Sequence, residues 1–343
     1  MPKSKDVDAD EEGFVAPVAV QYWQLWALYE PVSVTEAFEK GKSSNPSPGV
    51  HAFMPSLVHA LYLSPPFDPN LNFISSPFFS PRLLALIRLS LALYTFVTLL
   101  VVLILDSVQW HIGKSFFSYF THLSYIGLCA YLFAAGIQTM VYTYCPLKKG
   151  TFVLRTWPRI LQFLHVWLYT TAVTFPIVVT IVYWAILSGP STFETKFGSW
   201  SNISMHALNT VFALFEIVLT DVPPVPWIYL PLCLVILAGY LGIAYITHDA
   251  QGFYPYSFLD PKHHGAGVLA GYIIGIAIGE CIVYAIVHVA IRLRRWMVRR
   301  YAPLSGNYYT SDDLAGARVE ELDEWHEMSK PASFDVVHPL SSS

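Results

Sequence analysis

The chain has 343 residues, of which 54% are hydrophobic and only 13% are charged, and its net charge is −4. Soluble domains carry about 25% charged residues, so this composition argues against an ordinary soluble protein and predicts a membrane protein. The slightly acidic balance lacks the excess of Lys and Arg that binds phosphate backbones. We therefore expect no nucleic-acid partner.

The two ends of the chain differ in composition from its apolar middle. Residues 1–80 are rich in Pro and Ser, as in Asn45-Pro-Ser-Pro, and we interpret them as a cytosolic arm. Their first 13 residues are acidic and hold no apolar run, so we expect no cleavable signal peptide. Residues 301–343 are polar and acidic, which predicts a disordered cytosolic tail. The arm and the tail thus flank a membrane domain at residues 81–300.

Six stretches of the middle region are long and apolar enough to cross a membrane. About 20 apolar residues in a helix cover roughly 30 Å of hydrocarbon. Arg88 lies near the start of the first span, and we expect its side chain to reach toward the membrane surface. We predict an all-α integral membrane protein, a bundle of about six transmembrane helices. The predicted spans are Leu83–Leu105, Tyr119–Tyr142, Ile160–Leu187, Ile203–Thr220 (the shortest), Trp227–Thr247 and Ala266–Ile291.

The distribution of Lys and Arg between the loops predicts the orientation of the bundle. Cytosolic loops carry more Lys and Arg than loops on the opposite side. One side has Lys148, Lys149, Arg155, Arg159, Arg292, Arg294, Arg295, Arg299 and Arg300, and the other has only Lys114, Lys196 and Lys262. We therefore expect both termini in the cytosol. The pattern leaves open whether the membrane is the endoplasmic reticulum, another endomembrane or the plasma membrane.

Neither the cysteines nor the histidines indicate a cofactor. Three of the four cysteines lie inside apolar runs, and the sequence holds no C-x-x-C metal pattern. Haem in a helical bundle needs paired histidines at matched depth, and the spacing here resembles no known haem bundle. We expect neither a metal nor a cofactor.

Besides Arg88 and His122, which lie near span starts, the histidines and carboxylates inside the predicted spans are His165, His206, Glu216, Glu280 and His288. Such groups are expensive in hydrocarbon, so they indicate a function or a pairing partner. For Glu216 and Glu280 two interpretations remain open. Each pairs with His165 or His288 to hold helices together, or each contacts the headgroup of a substrate.

Thr121 and His206 form a candidate catalytic pair. Both lie near the same predicted membrane face, about 3–8 Å deep at 1.5 Å per residue. A histidine beside a hydroxyl activates it as a nucleophile by removing its proton. Asn209, one turn beyond His206, is a candidate to orient the imidazole, whereas Glu216 lies about 15 Å along the helix. The structural alternative is that each side chain bonds only to neighbouring helices.

The sixth span carries a glycine at every fourth position, namely Gly267, Gly271, Gly275 and Gly279. Small residues at this spacing let a second helix approach closely. We expect a helix–helix contact along this face, within the chain or with a partner.

Two stretches resemble the androgen-induced (FAR-17a-like) family of multi-pass membrane proteins. The first is Gly113-Lys-Ser-Phe-Phe-Ser-Tyr-Phe-Thr121, which opens the second span. The second joins Met205-His206 and Glu216 to Tyr254-Pro-Tyr-Ser-Phe-Leu-Asp260. The resemblance extends over residues 82–291. The His206-x-x-Asn209 pattern is also similar to the rolling-stone-like membrane proteins.

The resemblance implies a function. Members of the androgen-induced family hydrolyse fatty acid esters of hydroxy fatty acids with an intramembrane Thr nucleophile and a His, which correspond to Thr121 and His206 here. The expected substrate is then a lipid ester within the bilayer, and Asn209, Glu216 and Glu280 are supporting candidates. The alternative is a non-enzymatic membrane protein, an adaptor, receptor or structural component that works through its arm.

Overall fold

The computed structural model describes residues 66–144 and 152–301. This described part is 82% helical and contains no strand. Six of its helices are long and apolar enough to span a membrane, which confirms the predicted fold class. We label them α1 (Pro81–Val108), α2 (Phe120–Tyr144), α3 (Arg159–Leu187), α4 (Lys196–Leu219), α5 (Trp227–Gln251) and α6 (Gly265–Tyr301).

The remaining predictions on the ends of the chain are not tested by this structure. Residues 1–65 of the predicted arm and residues 302–343 of the predicted tail lie outside the described residues. The cytosolic location of both termini stays a prediction. Short helices occupy the connections, at Gly113–Ser118, Val153–Thr156, Pro190–Phe193 and Ser257–Leu259.

Local sequence signals explain where several helices begin and end. The Ser80 hydroxyl caps α1 by accepting the Leu83 N–H, and Pro81 follows at the first helical position. α5 ends at Gly252, whose φ of 79° is a conformation that glycine adopts easily. Thr195 caps α4, which therefore begins seven residues before the predicted Ile203. The fourth span is thus a helix of 24 residues, long enough for a full crossing.

The bundle has two ends, and each connection between spans belongs to one of them. α3 is central and packs against α2, α4 and α6. We call one end the Arg88 end, since it holds the start of α1, and the other the Thr121 end, since it holds the start of α2. Because the spans alternate in direction, α4 ends at the Arg88 end and begins at the Thr121 end.

Residues 66–76, which the sequence places in the arm, pack against the Arg88 end of the bundle. Phe67, Phe73 and Ile74 are buried in the hydrophobic core. The segment is tied to the end of α4, because the Asp221 N–H donates to the Ser75 carbonyl at 3.0 Å. On the other side, the Arg155 guanidinium donates to the Phe67 carbonyl at 3.0 Å. The folded unit therefore begins before the first span.

Arg88 does not reach the membrane surface as predicted; it is completely buried and forms an ion pair with Glu216. Its Nε and Nη2 donate to the two carboxylate oxygens of Glu216 at 2.8 Å each. Nη1 donates to the Phe73 carbonyl and the Thr139 hydroxyl, and Tyr131 donates to Glu216 at 2.9 Å. Of the two interpretations left open for Glu216, its pairing with His165 or His288 is therefore wrong, because its partner is Arg88. A bidentate guanidinium satisfies a carboxylate better than an imidazole does, and it has donors left for other groups.

The glycine series on α6 meets no helix within the described chain. No heavy atom of another helix in the described chain lies within 4 Å of the position that a Cβ would take on any of the four glycines. Gly271, Gly275 and Gly279 instead border an apolar cavity of about 210 Å³ beside α3. A helix partner for this face stays a prediction.

We expect Arg88→Met to destabilise the folded protein by about 3–5 kcal/mol, because it leaves the buried Glu216 carboxylate without its partner. The double variant Arg88→Met/Glu216→Leu should recover part of this loss, since neither charge remains. Thermal unfolding in detergent micelles measures both. Arg292→Met, at an exposed position of α6, is the control. Its free energy of unfolding should differ from that of the wild type by no more than about 0.5 kcal/mol. Equal melting of Arg88→Met and Arg292→Met would contradict the role of the pair.

Candidate functional site

Thr121 is the second residue of α2, and its side chain is buried at the Thr121 end of the bundle. Its backbone N–H donates to the Tyr256 hydroxyl at 3.3 Å. Its own hydroxyl lies 3.4 Å from the same oxygen. The backbone N–H groups of a first helical turn have no partner within the helix and give this end a partial positive charge. The Thr121 hydroxyl therefore sits where developing negative charge is stabilised.

Tyr256 lies in the connection between α5 and α6, and aromatic rings hold its side chain in place. Its ring stacks on Phe258 with centroids 5.4 Å apart and contacts Tyr119 edge-on at 5.9 Å. Burial raises the pKa of Tyr256 above its ordinary value of 10.0. The phenol is therefore neutral at physiological pH and keeps its proton.

His206 lies in a π-helical turn of α4, Ser204–Leu208, that faces a second π-helical turn in α3, Tyr183–Leu187. The imidazole stacks on the Tyr183 ring with centroids 3.5 Å apart and planes 5° apart. The Trp184 indole N–H donates to the His206 carbonyl at 2.7 Å. Such widened turns are rare in helices and are frequent at functional sites. Here they bring a histidine and a tyrosine face to face.

Within the described chain, the buried Nδ1 of His206 has no hydrogen-bond partner. A buried polar atom without a partner is costly, and in a native structure it calls for an explanation. A free imidazole nitrogen is the atom that accepts a proton in general base catalysis.

Thr121 lies at the start of α2, whereas His206 lies ten residues into the lengthened α4, about 15 Å along its axis and deeper than the sequence predicts. No hydrogen bond joins the two side chains in this structure. The Thr121 hydroxyl contacts Tyr256 instead. His122, the next residue along α2, is an electrostatic neighbour of His206. Tyr183 provides a second connection, since it stacks on His206 and lines the same cavity as Thr121.

That cavity has a volume of about 260 Å³ and lies between α2, α3, α5 and α6. Its polar side chains are Thr121, Tyr183, Tyr240 and Tyr256, and the remainder of its wall is apolar. An apolar cleft with a few convergent polar groups is the usual form of a small-molecule site. The wall can accommodate an alkyl chain while the polar groups face its substituent.

The other candidate residues lie away from the imidazole. Asn209 connects α4 to α3: its side-chain oxygen accepts the Thr180 hydroxyl at 3.0 Å, and its amide donates to the Pro176 carbonyl at 3.3 Å. The Asn209 amide therefore bonds to α3 and not to the His206 imidazole that it was predicted to orient. Glu216 belongs to the ion pair at the Arg88 end, on the far side of the bundle.

The predicted pairing of Glu280 with His165 or His288 is also wrong. Its carboxylate lies near Thr174 of α3, and no hydrogen bond or ion pair joins it to either histidine. His288 Nδ1 bonds the Val225 carbonyl at 2.9 Å, and the His165 ring packs on Phe73.

No group of three His, Cys, Asp or Glu side chains that could hold a metal ion occurs in residues 66–144 and 152–301.

The fold and the cavity define a multi-pass integral membrane protein with an apolar site bordered by a threonine, within the thickness of its spans. A profile of the FAR-17a/AIG1-like protein family matches residues 83–290. The match covers more than half of the chain, so the chain belongs to the FAR-17a/AIG1-like family, as the resemblance in its sequence predicted. No curated protein and no solved structure matches the chain.

We expect the cavity to bind an alkyl chain and Ala238→Phe to weaken that binding by about tenfold or more, equivalent to 1.4 kcal/mol. Ala238 lines the cavity, so a phenyl ring there occupies space that the chain needs. Fluorescence titration of the purified protein with a conjugated polyene fatty acid gives the affinity. Ala130→Phe, on an exposed position of α2, adds the same ring elsewhere and should bind as the wild type does. Equal affinities for the two variants would refute the assignment.

Proposed function

We propose that this protein is an intramembrane hydrolase of lipid esters, such as fatty acid esters of hydroxy fatty acids, with Thr121 as nucleophile and His206 as general base. One observation carries the proposal. The Thr121 hydroxyl lies at the first turn of α2, on the wall of an apolar cavity within the spans. Membership of the FAR-17a/AIG1-like family and the partnerless Nδ1 of His206 support it.

The proposed reaction begins with attack of the Thr121 oxygen on the ester carbonyl, while His206 accepts the hydroxyl proton. The tetrahedral intermediate then collapses, and the protonated His206 gives its proton to the leaving alcohol. The acyl group remains on Thr121 as an ester. Water attacks this ester, His206 accepts a proton from that water, and the fatty acid leaves as Thr121 recovers its hydroxyl.

This mechanism requires the imidazole to reach the hydroxyl during the reaction. Catalytic hydrogen bonds are often long or absent without substrate and form in the complex, so the contact of Thr121 with Tyr256 in this structure is compatible with it. The stack of His206 on Tyr183 leaves Nδ1 without a protein partner. The mechanism needs a movement that brings His206 to Thr121, and we place it at the two π-helical turns.

The position of Thr121 near one end of the bundle suits a reaction that needs both lipid and water. Thr121 is one residue from the start of its helix, about 1.5 Å along the axis, and the proposal requires water to reach it from this end of the bundle. The cavity extends from there along α3 and α5 and offers the acyl chain an apolar surface. The ester and its chain can therefore be placed without exposing the chain to water.

We expect Thr121→Ala to lower hydrolysis of a lipid ester by about 10³-fold or more, since it removes the nucleophile. His206→Ala should lower it by about 10²–10⁴-fold. Hydrolysis by the purified protein in lipid nanodiscs measures both effects. A fluorophosphonate probe should label the wild type and not Thr121→Ala.

Thr171→Ala is the matched control, because Thr171 lies in α3 and its hydroxyl only bonds the Leu168 carbonyl. It should retain wild-type hydrolysis and labelling. Full activity of Thr121→Ala in a folded protein would exclude the threonine mechanism. An inactive wild type, with a phenotype lost on removal of residues 1–65 and kept in Thr121→Ala, would favour the non-enzymatic alternative.

A further inference from the structure

We propose that Tyr256 is a catalytic residue, whose phenol donates a hydrogen bond to the oxyanion formed when Thr121 attacks the ester carbonyl. This inference rests on the proposed hydrolase function and deepens it.

Tyr256 is close to both groups of Thr121 that would define the position of an oxyanion. Its hydroxyl oxygen lies 3.4 Å from the Thr121 hydroxyl oxygen and 3.3 Å from the Thr121 backbone nitrogen. In acyl transfer by a serine nucleophile, the backbone N–H of the nucleophile itself serves as an oxyanion donor. An oxyanion next to the Thr121 oxygen would thus replace the hydrogen bond between this N–H and the phenol and accept from both groups.

Tyr256 has a phenol proton to donate, and the Thr121 hydroxyl oxygen is 3.4 Å from the phenol oxygen, with either group able to be the donor. Since the Thr121 N–H donates to Tyr256, the phenol oxygen acts there as the acceptor. A tyrosine hydroxyl has one proton of its own to donate. Burial raises the pKa of Tyr256, so this proton is present across the physiological range. The phenol can therefore donate to an incoming carbonyl oxygen.

The surroundings of Tyr256 fix its position before the substrate arrives. Its ring is held by Phe258, by Tyr119 and by Tyr240 with centroids 6.1 Å apart, and its carbonyl accepts the Leu259 N–H at 3.0 Å. Donors that are already placed where charge develops need no reorganisation during the reaction, which is why they lower the barrier.

The role that we assign to Tyr256 involves no proton transfer. As the bond between the Thr121 oxygen and the carbonyl carbon forms, the carbonyl oxygen gains negative charge, and the phenol and the Thr121 N–H donate to it. The proton of Thr121 goes to His206. When the carbonyl is restored and the alcohol leaves with that proton, Tyr256 retains its own.

The test is Tyr256→Phe, which removes the hydroxyl and keeps the ring that packs against Phe258. We expect kcat for lipid-ester hydrolysis to fall by about 10²–10³-fold, as on removal of one oxyanion donor, with KM unchanged. Labelling of Thr121 by the fluorophosphonate should slow by a similar factor. Affinity for a long-chain trifluoromethyl ketone, which forms a comparable oxyanion with the nucleophile, should weaken in parallel with kcat/KM.

Tyr254→Phe is the matched control. Tyr254 lies in the same connection, and its ring stacks on His248 with centroids 3.9 Å apart instead of lining the cavity. It should keep kcat, labelling and inhibitor affinity at wild-type values. Both variants should unfold at the wild-type temperature.

Three outcomes would overturn the proposal for Tyr256. The first is wild-type kcat in Tyr256→Phe while Thr121→Ala is inactive, which would remove Tyr256 from the mechanism and leave the hydrolase function intact. The second is a lower kcat without weaker binding of the trifluoromethyl ketone. The third is a loss of activity that follows a lower melting temperature, which would make the residue structural. Full activity of Thr121→Ala would instead overturn the proposed function itself.

Discussion

The buried ion pair of Arg88 and Glu216 is the constraint on which the arrangement of the helices depends. A guanidinium and a carboxylate inside an apolar bundle are tolerated only when nearly all of their hydrogen-bonding groups are satisfied. Here Arg88 donates to Glu216, Thr139 and Phe73, and Glu216 also accepts from Tyr131. These partners fix the register of α1, α2 and α4, and they hold the segment before α1 against the bundle.

The polar side chains that stabilise the bundle lie at the Arg88 end, and those that line the cavity lie toward the Thr121 end. Thr139, which bonds Arg88, is 18 residues from Thr121 on α2, about 27 Å along the helix axis. With the ion pair at one end, the other end is built from weaker interactions: stacked rings, two π-helical turns and single hydrogen bonds. Elements of this kind move more easily than a bidentate pair, and the proposed reaction requires such a movement.

The sequence alone predicts the positions of the spans well, but it predicts poorly which polar side chains contact one another between spans. Hydropathy over about 20 residues reports whether a helix can cross the bilayer, which is why all six spans are confirmed. A fixed rule for charges near span ends predicted that Arg88 reaches the surface. That rule fails because Glu216, 128 residues away, provides a better environment than the interface. Similarly, the cap at Thr195, which lengthens α4, lies outside the apolar run by which the span was recognised.

The residues of the candidate site also differ in whether the sequence alone predicts them. Thr121 and His206 are recognisable because family motifs carry them. Tyr256 also lies in such a motif, between Tyr254 and Asp260, but the motif alone gives it no role, and nothing in the sequence distinguishes Tyr183 from the other tyrosines. Their importance arises from tertiary contacts: Tyr183 covers the imidazole, and Tyr256 reaches from the α5–α6 connection to the first turn of α2. Because a connection outside the spans supplies this contact, hydropathy cannot reveal it. The chemistry proposed for the membrane interior therefore depends on a residue that lies outside the spans.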